Sequence, residues 1–300
     1  MPIQTVERII HQCPPNSTMG WQGGEPTLMG LDFYEHVVNL RPDINHTLMT
    51  NGTLLNAEWA KFLSANKFLV GISIDGPRQI HNIHRSDYDK TVAGLQHLLD
   101  HNVSVNAVVT VHNANWNRGV KIYRTLKRLG ITYMQFIPIL SNPLISEYSI
   151  MGYEWGVFLR SVFREWLKHD IDKIGVQLFD DCMLSITNRS PQCCAYNEQC
   201  GGFVVEADGN VYCCEHYIES SLLGNILEQT FEDMVDSPTF QIFNSDKPAK
   251  YCKHYECEFV SMCWGGCKKH RLSSGTDKNI LCDGYRQLFQ EFVREITPQC

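Results

Sequence analysis

From Ser17 to Ile139 short apolar runs alternate with stretches of helical periodicity, and this alternation limits the fold more than any other feature of the 300-residue chain. Ser17 to Gln22 reads as a strand running into Gly23-Gly24-Glu25-Pro26, and Phe33 to Leu40 as a helix. His46 to Thr50 is a strand stopped by Asn51-Gly52, after which Asn56 caps a helix with Trp59, Phe62 and Leu63 on one face. Phe68 to Ile74 is a buried strand ended by Asp75-Gly76-Pro77. A helix over Thr91 to Leu99, a strand over Val103 to Val111, a helix over about Arg118 to Leu129 and a strand over Tyr133 to Ile139 follow. Strands separated by helices predict a parallel sheet with crossover connections, an α/β fold. Five strands do not close a barrel. The chain also opens on a helix-like segment with Val6, Ile9 and Ile10 on one side, so an N-terminal strand is expected ahead of residue 1.

Beyond the sheet, residues 153 to 168 form an amphipathic helix with Trp155, Phe158, Val162, Phe163 and Trp166 at helical spacing. Gly175 to Thr187 reads as a strand and helix leading out of this part, and Asn188 to Pro191 as a boundary. Three regions are expected: a partial barrel over 1–150, connecting helices over 151–190, and a smaller α+β domain over 191–300. Within the last, Asp208-Gly209 between alternating apolar residues signals a hairpin over Phe203 to Tyr212. Leu222 to Leu227, a helix over Thr230 to Ser237 and a tail helix over Tyr285 to Ile296 complete the pattern.

Composition matters chiefly through cysteine. There are 13, and only Cys13 and Cys182 precede residue 190. Met1 is followed by a segment without a basic, then apolar, signal, and no apolar run approaches the roughly 18 residues of a membrane span. A cytoplasmic protein with reduced thiols and no membrane contact is expected, and the odd count also disfavours disulfides. A net charge of −7 argues against a nucleic-acid partner. The cluster therefore points to metal. In the doublets Cys193-Cys194 and Cys213-Cys214, successive side chains of extended backbone point to opposite faces, so each supplies one ligand. The other member is a buried apolar filler. With Cys300 set aside, two sets of four remain, which suits either two iron–sulfur clusters or two zinc sites.

Gln22-Gly-Gly-Glu-Pro-Thr27, Thr50-Asn-Gly-Thr53, Ser73-Ile-Asp-Gly-Pro77 and Gln135-Phe-Ile137 resemble the core of a radical S-adenosylmethionine (radical SAM) enzyme. The C-terminal third resembles the SPASM or twitch region, and the closest family is the anaerobic sulfatase-maturating enzymes. The resemblance implies a partial (β/α)6 barrel. It implies reductive cleavage of S-adenosylmethionine to a 5′-deoxyadenosyl radical, which takes a hydrogen from Cβ of a cysteine or serine in a sulfatase peptide on the way to formylglycine. A flavodoxin or ferredoxin would supply electrons. The backbone of Gly24 would meet the methionine end of S-adenosylmethionine, with Ser73, Arg85 and Leu140 lining the rest. Taken alone, Gly23-Gly24 is an ordinary turn and Arg85 a surface cation. The resemblance gives Cys194, Cys200, Cys214 and Cys267 to one auxiliary 4Fe-4S cluster. Cys252, Cys257, Cys263 and Cys282 go to a second.

Three departures from the family pattern stand out. Two extra residues separate Cys252 from Cys257. The family's general base, an aspartate, is here Glu215, which keeps a carboxylate with one more methylene; a charged surface residue is the plain alternative, and His216 a second candidate base. The C-x3-C-x2-C motif that holds the SAM-reducing cluster does not occur, so that third cluster is expected only in a longer parent, and the sequence as it stands is expected not to cleave S-adenosylmethionine. Two other readings remain open: another SPASM peptide maturase forming a thioether or carbon–carbon crosslink, and a non-catalytic zinc-binding or interaction module.

Overall fold

In the computed structural model the described residues are all except 141–146, 188, 198, 201, 219, 246–251, 253–255, 273–276 and 297–300; the side chains of Cys194 and Leu272 are also outside the description. Cys300 and the Asn188 boundary position therefore lie outside it.

Six parallel strands form one sheet in sequence order. They are β1 (Thr18–Trp21), β2 (Asn45–Thr50), β3 (Leu69–Ser73), β4 (Ser104–Val111), β5 (Tyr133–Pro138) and β6 (Gly175–Val176). Between and around them run α1 (Ile3–Gln12), α2 (Leu31–Leu40), α3 (Ala57–Ala65), α4 (Arg78–His81), α5 (Tyr88–Asp100), α6 (Gly119–Arg128), α7 (Gly152–His169) and α8 (Gln177–Ile186). The expected strands and longer helices are present, with ends displaced by a few residues. The sixth strand is only two residues long and pairs with Tyr133 and Met134.

Alternation along the strands sorts their residues onto two unlike faces. Leu48, Val70, Ile72, Ala107, Val109 and Met134 are buried in the apolar clusters under the helices. The other face carries Thr47, Met49, Gly71, Ser73, Asn106, Thr110 and Gln135. A Cβ on Gly71 would meet Met49 Sδ at 2.2 Å, which confirms that the two share that face. Parallel sheets are ordinarily apolar on both sides. This face is mixed, with polar residues among Met49, Leu69 and Val108, and its polar members can meet a polar ligand.

The C-terminal part has a three-stranded antiparallel sheet of β7 (Val204–Val205), β8 (Asn210–Tyr212) and β9 (Leu222–Asn225). Gly209 turns the first hairpin with φ 88°, as the Asp-Gly signal requires. Short helices follow: α9 (Phe231–Val235), α10 (Pro238–Ser245), α11 (Val260–Cys263) and α12 (Lys268–Leu272), then the long α13 (Cys282–Ile296). Two seams fasten this part to the first. Along one, α13 crosses α7 at glycines: a Cβ on Gly156 would lie 2.9 Å from Gly284 Cα. Beside that crossing, buried Glu291 accepts hydrogen bonds from Arg160 and Arg164. Along the other, α1 bonds to the small sheet: Arg8 donates to the Ile226 carbonyl, and Gln12 accepts from the Phe231 amide.

Candidate active site and metal centre

Side-chain hydrogen bonds join the carboxyl ends of β1 and β2, and separately those of β3 and β4. Gly23 and Gly24 follow β1 with φ 98° and 58°, and a Cβ on either would meet nothing within 4 Å. Their backbone is therefore open to close approach, in a conformation glycine adopts without strain. Glu25 holds this loop against β2: its carboxylate accepts from the Thr27 amide and hydroxyl, the Thr50 hydroxyl at 2.7 Å and the Asn51 amide at 2.8 Å. The Gly-Gly-Glu-Pro-Thr and Thr-Asn-Gly-Thr motifs are thus one structural unit, joined by a residue the motif reading had not singled out.

Ser73 and Arg85 come together as expected. With Asn51, Thr53, His81, Ser86, Asp87 and Thr91 they line an open pocket of about 250 Å³. This donor- and acceptor-rich lining fits a polar cofactor. Gly24 and Leu140 do not line it. Leu140, 8% exposed, packs into the main apolar core after β5, which leaves its backbone rather than its side chain to meet a ligand.

Glu215 arrives from the other part of the chain. Gln22 Nε2, at the end of β1, donates to Glu215 Oε2 at 2.6 Å across 193 positions of sequence. A carboxylate from the small domain therefore stands beside the glycine loop of the large one. His216 Nε2 lies 3.6 Å from the same carboxylate. Burial, aided by Lys269, holds the His216 imidazole below its ordinary value, so near neutrality it is uncharged.

Four of the predicted thiols, Cys252, Cys257, Cys263 and Cys282, line a single small pocket walled by Phe259, Tyr285 and Phe289. Burial and mutual repulsion push Cys252 up to about 11 and Cys263 up to about 12. Thiolates there need a bound cation to compensate them. Zinc bonds of 2.3 Å would draw four sulfurs to within ~4 Å of one another. Among the described residues no three His, Cys, Asp or Glu side chains converge closely enough to hold one ion. Four thiols lining one pocket can hold a cage with one iron per thiolate.

The second gathering is looser. Cys200 and Cys267 act electrostatically on Cys214, whose thiol burial raises, and all three bear on Tyr217. Cys213, just past β8 and 7% exposed, is acted on instead by the charge of Lys268. Cys193 packs against the main core. Each doublet thus has one member in a filler's place; Cys194, whose side chain is outside the description, begins a 3-10 turn over Cys194–Tyr196. Between the gatherings Trp264, Gly265 and Gly266 all have positive φ, and a Cβ on Gly266 would sit 2.1 Å from Asn279 Nδ2. That turn separates Cys263 from Cys267.

Residues 1–131 match the model of the radical SAM superfamily, and residues 193–258 match SPASM, an iron–sulfur cluster-binding domain. The parallel sheet and its cysteine-rich extension accordingly belong to a radical SAM protein with a SPASM region. A cysteine-type anaerobic sulfatase-maturating enzyme of Clostridium novyi is 32% identical, with 97% of this chain and 84% of the relative covered. A serine-type enzyme of Bacteroides thetaiotaomicron is also 32% identical, over 95% of this chain and 78% of the relative. The solved structure of native anSMEcpe with bound AdoMet and Kp18Cys peptide superposes with a TM-score of 0.90 at 30% identity, covering 99% of this chain and 90% of that one. The chain belongs to the anaerobic sulfatase-maturating enzyme family.

Proposed function

We propose that this protein is a peptide-modifying oxidoreductase that converts a cysteine or serine of a sulfatase peptide to formylglycine. The observation that supports the reading is the Gln22–Glu215 bond, which brings a carboxylate of the cysteine-rich part beside the residue that precedes Gly23-Gly24. S-adenosylmethionine and the iron–sulfur clusters, when bound, supply the hydrogen-abstracting radical and the route for the electrons. The substrate loses a hydrogen atom from Cβ, a proton from its thiol or hydroxyl and one further electron. Glu215 is the group placed to accept that proton. Water then replaces sulfur in the cysteine case. Gly24 and Leu140 present backbone, and Ser73 and Arg85 side chains, to S-adenosylmethionine. Cys194, Cys200, Cys214 and Cys267 hold one cluster, and Cys252, Cys257, Cys263 and Cys282 the other.

In this reading residues 1–150 are the radical SAM barrel, 151–190 the connecting helices and 191–300 the SPASM domain. The protein works in the cytoplasm with a flavodoxin or ferredoxin as electron donor. Among the described residues no helix is long and apolar enough to cross a membrane. The test is anaerobic incubation with S-adenosylmethionine, a reductant and matched peptides carrying cysteine or serine at the target position. In a longer form that carries the C-x3-C-x2-C motif an aldehyde captured by a hydrazine is expected, and Glu215→Gln is expected to lower its rate by about 100-fold; the sequence as it stands is expected to give none. A thioether or carbon–carbon crosslink in place of the aldehyde would contradict the reading and favour the crosslinking class that the longer Glu215 side chain admits.

A further inference from the structure

Arg85 is held before any ligand reaches it. Asp75, at the end of β3, is a buried carboxylate with 2% of its side chain exposed. One oxygen accepts from the Thr110 amide of β4 at 2.7 Å, and the other accepts from Arg85 Nε at 2.7 Å. The Thr110 hydroxyl accepts from Arg85 Nη2, also at 2.7 Å. Two bonds thus fix the plane of the guanidinium at the carboxyl end of the sheet, and Arg85 lines the same pocket as Ser73. The segment between is pinned too. His81 Nδ1 accepts from the Asp75 amide, and its Nε2 faces the Ser86 carbonyl at 3.3 Å, so the ring bridges both ends of the loop that carries Arg85.

We infer that Asp75, together with Thr110, is a positioning residue for cofactor binding: it aims Arg85 at an acceptor oxygen of S-adenosylmethionine, a carboxylate or ribose hydroxyl. This rests on the reading that the pocket holds S-adenosylmethionine. A carboxylate is required because both oxygens must accept. An asparagine offers one acceptor and one donor, so Asp75→Asn must abandon either the Thr110 amide or Arg85.

The test is a double-mutant cycle read as equilibrium binding of S-adenosylmethionine to the anaerobically prepared protein. Arg85→Ala is expected to raise Kd by about 10- to 100-fold and Asp75→Asn by about 10-fold. In the Arg85→Ala background Asp75→Asn is expected to add less than about twofold, because the two act through one group. Thr110→Val, which leaves the carboxylate in place, should weaken binding about threefold, and Thr110→Ser should restore it. Should Asp75→Asn fail to fold, the Thr110 pair carries the test. Independently of cofactor, hydrogen exchange at Arg85 Nε–H should be slow in the wild type and fast in Asp75→Asn. Additive losses in the cycle, or an Nε–H still protected in Asp75→Asn, would overturn the inference. An unchanged Kd in Arg85→Ala would overturn the pocket reading instead, with the exchange result still judging the positioning.

Discussion

Leu48, Val70, Ile72, Ala107 and Val109 of the parallel sheet have no exposed surface and lie in clusters that draw on α2 to α8 and on the C-terminal α13. The small antiparallel sheet has no comparable core: its fully or nearly buried residues are Ile9, Val211, Ile226 and Met234, and one of those is borrowed from α1. Its strands are two to four residues long. Apolar burial of this size stabilises a domain only marginally, and small domains make up the difference with covalent or metal crosslinks. The large sheet has an apolar core to fold around, and we infer that the cysteine-rich part outside α13 is completed by what its thiols bind.

Stripping metal should break the comparison open with the largest effect. A chelator under reducing conditions is expected to leave amides of β1 to β5 protected from hydrogen exchange while those of 256–272 exchange freely; equal loss in both parts would contradict it. Acid should act in the opposite sense, on the sheet. His46 is 4% exposed, stacked on Phe68, and accepts from Trp21 Nε1 through Nδ1. Burial lowers its pKa from 6.5 to about 4. The unfolded chain therefore binds a proton that the folded chain refuses between these values, so stability is complete above pH 6.5 and declines as pH falls to 4. The loss is on the order of 3 kcal/mol, and His46→Phe should remove this part of the pH dependence in urea denaturation curves. Glu291→Ala, in the seam between α7 and α13, should cost about 2 kcal/mol, since Arg160 and Arg164 are left half-exposed rather than sealed in. The smallest effect belongs to Glu215→Gln, which should change stability by less than about 0.5 kcal/mol while affecting the reaction, because that carboxylate is exposed.

The same division governs what the sequence revealed. The strands of the sheet were legible because each interior position is read out by period-two alternation and each end by Gly, Pro or Asn. The Asp208-Gly209 hairpin was legible for the same local reason. Asp75 was visible only as the end of a strand, because the bonds that give it a role run to residues 10 and 35 positions away. Glu25 was hidden similarly: its partners Thr50 and Asn51 belong to the next strand and its loop. The contact of Gln22 with Glu215 has no periodic signature at all. For the cysteines, counting gave two groups of four, and chain direction at the doublets indicated one ligand from each. Which cysteine joined which group came from family resemblance, and the cavity shared by Cys252, Cys257, Cys263 and Cys282 supports one of those sets.

The most direct test of a C-terminal part organised by its thiols is iron, acid-labile sulfide and zinc analysis of the anaerobically purified chain, with Cys263→Ala alongside. Two four-iron cages predict about eight irons and eight sulfides per chain, falling to about four of each in Cys263→Ala while Cys200, Cys214 and Cys267 keep theirs. Stoichiometric zinc without sulfide, or iron unchanged by the substitution, would contradict the account.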